Sequence, residues 1–221
     1  GHRGSHTQIP WQSKFSSSPP AHTMDVLGWI ATVFTIGYFV ANAAQMLTFV
    51  RSRSTGDATV LPFAATFANC MLWLKYGVYL ADTAIISVNA FGAAMMLLTM
   101  ASFWLFTAQR AAAEALVLAV LAPLSVIYAL ARFEVIMPQL VGSLAAVASV
   151  LMFASPLVTL GGIIRRRDSS VLSLPSMMCG LLLAVAWTAY GIKVWDANVV
   201  VPNALGALLS VVQLGVWFVF R

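Results

Sequence analysis

Charge is what this sequence has least of. Only 9% of its 221 residues are charged, 61% are hydrophobic and the mean hydropathy is +0.89, whereas soluble globular domains are about a quarter charged. That composition excludes a soluble enzyme and describes an all-α polytopic membrane protein. The net charge of +5 does not imply a nucleic-acid partner, because the basic residues cluster at the ends of apolar runs, where they set topology. Cysteine is nearly absent. Cys70 and Cys179 both lie inside apolar runs, so there is no disulfide framework; both read as small packing residues, with a cavity lining as the alternative for Cys70. Histidine occurs only at positions 2, 6 and 22, without metal-ligand spacing, so no metal and no other cofactor is expected.

Long apolar runs are what the chain has instead. A membrane helix needs roughly 20 apolar residues, and seven segments meet that requirement: about 26–50, 60–80, 84–106, 113–131, 137–163, 172–193 and 197–220. Their breaks carry charges and turn residues, notably RSRSTGD at 51–57 and RRRDSS at 165–170. Arg51, Arg53, Arg110, Arg165, Arg166, Arg167 and Arg221 fall on one side of the membrane, against Arg132 and Lys193 on the other. The excess of positive charge marks the cytosolic face, which puts the N-terminus outside and the C-terminus in the cytosol. Residues 1–23 are polar and rich in Ser and Pro, the composition of a disordered tail. Met24, just ahead of the first run, reads as the natural start.

The chain also repeats itself. Trp73, Tyr76, Gly77, Asp82, Asn89 and Gly92 recur as Trp187, Tyr190, Gly191, Asp196, Asn203 and Gly206, every pair 114 positions apart. One residue of slack brings Pro62 into register with Pro175. So long a period is a duplicated half-protein, not a solenoid repeat. Residues 24–110 and 135–221 form the two copies, and residues 111–134 form a linker helix. A three-span unit begins on one side and ends on the other, so a second copy keeps the same orientation only after an extra crossing. The expected architecture is therefore two parallel three-helix bundles joined by one helix, related by an axis along the membrane normal, with a cavity between them.

Asn89 and Asn203 each follow an Asp helix cap by seven residues, which buries them about 10 Å deep at 1.5 Å per residue. An unpartnered amide at that depth costs several kcal/mol. For one Asn the simple account is an interhelical hydrogen bond; two at symmetric depths point to a shared polar cavity. Trp73 and Trp187 would serve singly as interfacial anchors. Beside the asparagines they make a site for a neutral, polyhydroxylated ligand, since an indole face stacks on a pyranose while an amide both donates and accepts. Asp25, Asp57, Asp82, Glu114, Glu134, Asp168 and Asp196 all lie in connections or within about a turn of a helix end. Proton-coupled carriers place carboxylates or histidines within the membrane, so uncoupled transport is expected. Lys75 is the basic residue well inside a span, and either snorkels or forms an ion pair with Asp82 or Asp196. The last segment contains no lysine, which removes the Schiff-base site of a retinal protein. Pro62, Pro156 and Pro175 are candidate hinges near the cytosolic ends; simple helix termination accounts for Pro62 and Pro175 about as well.

The ordered set RSRSTGDATVLPF, NCMLWLKYG, VNAFG, ASPL, SSVLSLP, AWTAYG and VVPNALG resembles the SWEET family of sugar transporters within the PQ-loop superfamily, over nearly all of residues 24–221. The resemblance implies a seven-helix uniporter, usually trimeric, that moves mono- or disaccharides by alternating access. It assigns sugar binding to Asn89, Asn203, Trp73 and Trp187, an extracellular gate to Tyr76, Tyr190 and Asp196, and three members of an intracellular proline tetrad to Pro62, Pro156 and Pro175. The fourth proline, expected in segment 1, is replaced by Ala43 or a neighbour. The connection between segments 2 and 3 is shorter than in many plant members, which argues against a close plant paralogue. The implied partners are a small neutral sugar, the lipid bilayer and further copies of the chain, and the implied location is the plasma membrane, with the Golgi or another endomembrane as the alternative. A carrier of amino acids or another small solute, and a non-transporting seven-helix receptor or scaffold, are the alternatives.

Overall fold

A computed structural model describes residues 26–221, whose regular elements are helices joined by short connections. The helices are α1 (Val26–Ser52), α2 (Leu61–Leu80), α3 (Thr83–Phe106), α4 (Arg110–Arg132), α5 (Pro138–Leu151), α6 (Ala154–Arg166), α7 (Leu174–Lys193) and α8 (Ala197–Phe220). The tail of residues 1–23 and its histidines lie outside the described residues. α5 and α6 are one segment interrupted at Met152–Phe153, so eight helices make seven segments in a three-plus-one-plus-three order. Six candidate spans are long and apolar enough to cross a membrane, α5 with α6 counting as one. The seventh segment, α2, is not among them, which corrects the expectation that all seven qualify. Thr66, Asn69 and Lys75 lower its apolarity, and it packs against α3, α4 and α5.

Local chemistry explains where the helices begin and end. Asp82 and Asp196 cap α3 and α8, each accepting a backbone N–H from the first turn at 3.0 and 2.9 Å. The preceding residues, Ala81 and Trp195, both adopt the left-handed conformation, with φ of 51° and 55°. Each reverses the chain so that the aspartate N–H meets the carbonyl of Gly77 or Gly191, both at 3.0 Å. These glycines permit the tight corner: a Cβ on Gly77 would lie 2.9 Å from Ile85 Cγ2, and one on Gly191 would lie 2.9 Å from the Val200 backbone nitrogen. Arg53 and Arg167, again 114 positions apart, form a second matched pair with positive φ. The duplication is thus written in the backbone as well as in the side chains.

Packing arranges the segments as a ring. α3 sits between α1 and α2, and α8 sits between α7 and the broken segment α5–α6. The copies meet where α2 packs on α5 and α1 packs on α7, while α4 lies outside against α2 with a small contact to α5. α6 packs on α8. Many large apolar side chains, such as Leu118, Val158, Leu208 and Phe218, are exposed; a bilayer supplies the solvent that they require.

The interruption between α5 and α6 has an identifiable cause. Pro156 has no N–H for the Met152 carbonyl, and its ring crowds that carbonyl. The helix gives way there: Phe153 N turns back to Val150 O at 3.0 Å, and regular bonding resumes with Leu157 N to Phe153 O at 3.1 Å. In the first copy the 114-residue offset sets Asn42, not a proline, opposite Pro156. α1 accordingly runs unbroken for 27 residues. Pro62 and Pro175 instead occupy the first turns of α2 and α7, where a missing N–H costs nothing.

Candidate substrate-binding site

Two tyrosine–aspartate pairs close one end of the ring. Tyr76 on α2 donates its hydroxyl to Asp196 Oδ2 at 2.8 Å, and Tyr190 on α7 donates to Asp82 Oδ2 at 2.6 Å. Each pair joins one copy to the other. A carboxylate suits this double duty because it has two acceptor oxygens: one caps its own helix and the second reaches across the interface. Asp82 is a member of this closure that the sequence candidates omitted, although its match with Asp196 at the common offset carried the signal. Lys75 pairs with neither aspartate. Its Nζ instead lies 4.5 Å from the centre of the Tyr79 ring.

One turn further along α2 and α7 lie the tryptophans. Trp73 Nε1 donates to Ser149 Oγ at 3.0 Å, and Trp187 Nε1 donates to Thr35 Oγ1 at 2.8 Å. Thr35 and Ser149 are themselves 114 positions apart, and their hydroxyls lie 2.7 and 3.0 Å from the Ala31 and Ala145 carbonyls. Sequence comparison missed this second pair because a Thr and a Ser are not identical, although both supply a hydroxyl. Each indole is only 8% exposed. With the tyrosines packed edge-on against them at 6.0 and 5.5 Å between ring centres, the tryptophans form the roof of a cavity.

That cavity holds about 530 Å³, within the roughly 300–1,000 Å³ of typical small-molecule sites. Asn89 and Asn203 both line it. Asn89 Nδ2 donates to the Ile85 carbonyl and Asn203 Nδ2 donates to the Val199 carbonyl, both at 2.8 Å. A carbonyl accepts only from a donor, so the amide nitrogen must face the backbone. Each side chain keeps a carbonyl oxygen and a second N–H for a ligand. Asn69 on α2, which the sequence candidates did not include, adds a third amide on one wall, with Oδ1 3.1 Å from Ser149 Oγ. Leu183 occupies the equivalent place in the second copy. Cys70 is buried and also lines the cavity, while Cys179 is exposed; both thiols are free.

The lining continues away from the tryptophans to Pro156, Ser210 and Gln213. Among the described residues no side-chain hydrogen bond joins the two copies at that end. The site is therefore sealed beneath the Tyr–Asp pairs and unlatched at the opposite end. Of the three candidate hinge prolines, Pro156 alone lines the cavity and lies beside a break in its segment. No group of three or more His, Cys, Asp or Glu side chains among the described residues could hold a metal ion.

Two parallel three-helix units around one cavity, joined by a single crossing helix, define an integral membrane protein of the parallel-repeat transporter class. Comparison with known proteins makes the assignment specific. The family model described as "Sugar efflux transporter for intercellular exchange" matches residues 25–111 and again 139–221, and the chain belongs to this family, the SWEET transporters. It is similar to Sugar transporter SWEET1 of Drosophila pseudoobscura pseudoobscura, with 33% identity across 89% of each chain. It is also similar to Sugar transporter SWEET1 of Mus musculus, at 29% identity over 84% of this chain and 86% of the relative. Bidirectional sugar transporter SWEET5 of Arabidopsis thaliana is 25% identical over 91% and 88%. Among solved structures, a eukaryotic SWEET transporter at 3.7 Å resolution shares the fold with a TM-score of 0.80 and 23% identity, covering 88% of this chain and 94% of its own.

Proposed function

We propose that this protein carries a neutral mono- or disaccharide across a membrane as a facilitative uniporter working by alternating access. The observation that carries this proposal is the matched pair Asn89 and Asn203, which line one cavity and make the same bond to their own helices. Two amides and two indoles from opposite copies suit a ligand with hydroxyls around its rim and C–H faces above and below. Residues 24–110 and 135–221 act as the two moving units, with residues 111–134 as the connecting crossing. Tyr76, Tyr190, Asp82 and Asp196 act as the outer gate. Pro156 softens the inner end, and Pro62 and Pro175 set where the gate helices of that end begin.

The positive-inside distribution supports an extracellular Tyr–Asp end and a cytosolic C-terminus, so the conformation described above faces the cytosol. The reading extends to assembly as a homotrimer in the plasma membrane, with the Golgi or another endomembrane as the alternative location. The relatives are named as sugar transporters, which favours a sugar over an amino acid as the solute. Asn89→Ala and Asn203→Ala are each expected to abolish uptake of labelled sugar while surface labelling shows normal delivery to the membrane. Wild-type uptake by either variant would overturn the proposal.

A further inference from the structure

The duplication accounts for both Tyr–Asp pairs but not for what surrounds one of them. Asn198 Nδ2 lies 3.2 Å from the Tyr76 hydroxyl, and its backbone N–H donates to Asp196 Oδ1 at 2.9 Å. Ser143 on α5 donates to Asn198 Oδ1 at 3.2 Å. Tyr76 therefore donates to Asp196 while accepting from Asn198, and the amide is itself held from α5. Room for this arrangement depends on Gly142, where a Cβ would lie 2.6 Å from Tyr76 Cε2 and 2.7 Å from Asn198 Nδ2. At the 114-residue offset the first copy has Ala84 for Asn198 and Trp29 for Ser143. Asn198 and Ser143 thus have no counterparts of like chemistry beside the Tyr190–Asp82 pair.

We infer that Asn198, steadied by Ser143, is a positioning residue that ties α2, α5 and α8 together at the closed end and biases the molecule toward the conformation in which Tyr76 meets Asp196. The amide makes the Tyr76–Asp196 end of the closure a tie across three segments. An amide suits the role because it donates to the tyrosine and accepts from the serine at once, leaving the tyrosine proton for the carboxylate. Loss of the amide removes one neutral hydrogen bond from the closed state alone, since Tyr76 and Asn198 separate when the copies part.

This inference rests on the alternating-access proposal, and distance measurements across the closure test the two separately. Val78 and Ile192 are exposed positions two residues after the gate tyrosines and equivalent in the two copies. Spin labels on Val78→Cys and Ile192→Cys, in full-length protein carrying Cys70→Ser and Cys179→Ser in lipid nanodiscs, report a short distance when the end is shut and a longer one when it is open. Asn198→Ala is expected to raise the ratio of open to shut molecules roughly two- to tenfold, the effect of one net hydrogen bond. Ser143→Ala should move it the same way by less, and its exposed side chain keeps that variant folded. In a Tyr76→Phe background Asn198→Ala should add almost nothing, because both remove the same bond. Two populations left unchanged by Asn198→Ala, or additive effects of Asn198→Ala and Tyr76→Phe, would overturn the inference alone. A single short distance in every variant, with glucose or without it, would overturn alternating access and the inference with it.

Discussion

An asparagine inside a membrane helix has a donor and an acceptor to satisfy, and Asn89 and Asn203 resolve the problem halfway. Each commits one N–H to the carbonyl four residues back, so an empty cavity leaves no fully orphaned amide, and a ligand still finds both functions on offer. Of the glycines one turn further on, Gly206 lines the cavity and Gly92 packs behind Phe39 and Cys70, and they are not equally constrained. A Cβ on Gly92 would lie 2.5 Å from Phe39 Cζ and 2.9 Å from Cys70 Sγ, whereas one on Gly206 would lie 3.2 Å from Phe153 Cζ. Gly92→Ala is therefore expected to destabilise the protein by about 1–3 kcal/mol, the usual cost of overpacking. Gly206→Ala should cost clearly less. Thermal melts of the two variants in the same detergent check this, and equal losses would contradict the difference in packing. Residue identities made these pairs legible from sequence. Thr35 with Ser149 was not legible, because equivalence there lies in a hydroxyl and not in a letter; nor was Asn198, because it has no copy.

Helices bend where their hydrogen bonding fails, and the two copies differ in this respect at Pro202, which lies inside α8 where α3 has Val88, and more sharply at Pro156. Segment 5 breaks at Met152–Phe153, just ahead of Pro156, while α1 continues through the equivalent turn because Asn42 stands where a proline would be. The sequence marked Pro156 as a hinge candidate, but whether a proline hinges a helix or merely begins one depends on its place in the turn. Pro62 and Pro175 sit in first turns that follow a connecting loop, whereas Pro156 sits in the first turn of α6 directly after the break from α5. Pro156→Ala restores the missing N–H and should let α5 and α6 fuse. The expected result is a higher melting temperature with sugar flux reduced roughly tenfold, as for other variants that stiffen a gating element. Sugar affinity should change little, since the asparagines and tryptophans are untouched. Unchanged flux would show that the break is not used in transport.

At the scale of the whole molecule, hydrophobic runs and a fixed offset made the seven-segment, three-plus-one-plus-three plan legible before any coordinates. The spatial order of the ring was not legible. Placing α3 between α1 and α2, and α8 between α7 and the broken segment, depends on which face of each helix is turned inward, and helices apolar on every side give no such signal. Both Tyr–Asp pairs and both Trp–hydroxyl bonds cross from one copy to the other, so any separation of the copies at the closed end, as the proposed function requires, breaks all four contacts together. Asp82 and Asp196 are engaged as helix caps and as acceptors from the gate tyrosines, and under the proposed function the carrier runs downhill. Liposomes containing only this protein and loaded with unlabelled sugar should take up labelled sugar transiently by counterflow, and a protonophore should change the initial rate by less than about twofold, because no proton crosses with the sugar. Collapse of counterflow on adding the protonophore would reveal proton coupling and overturn the downhill reading.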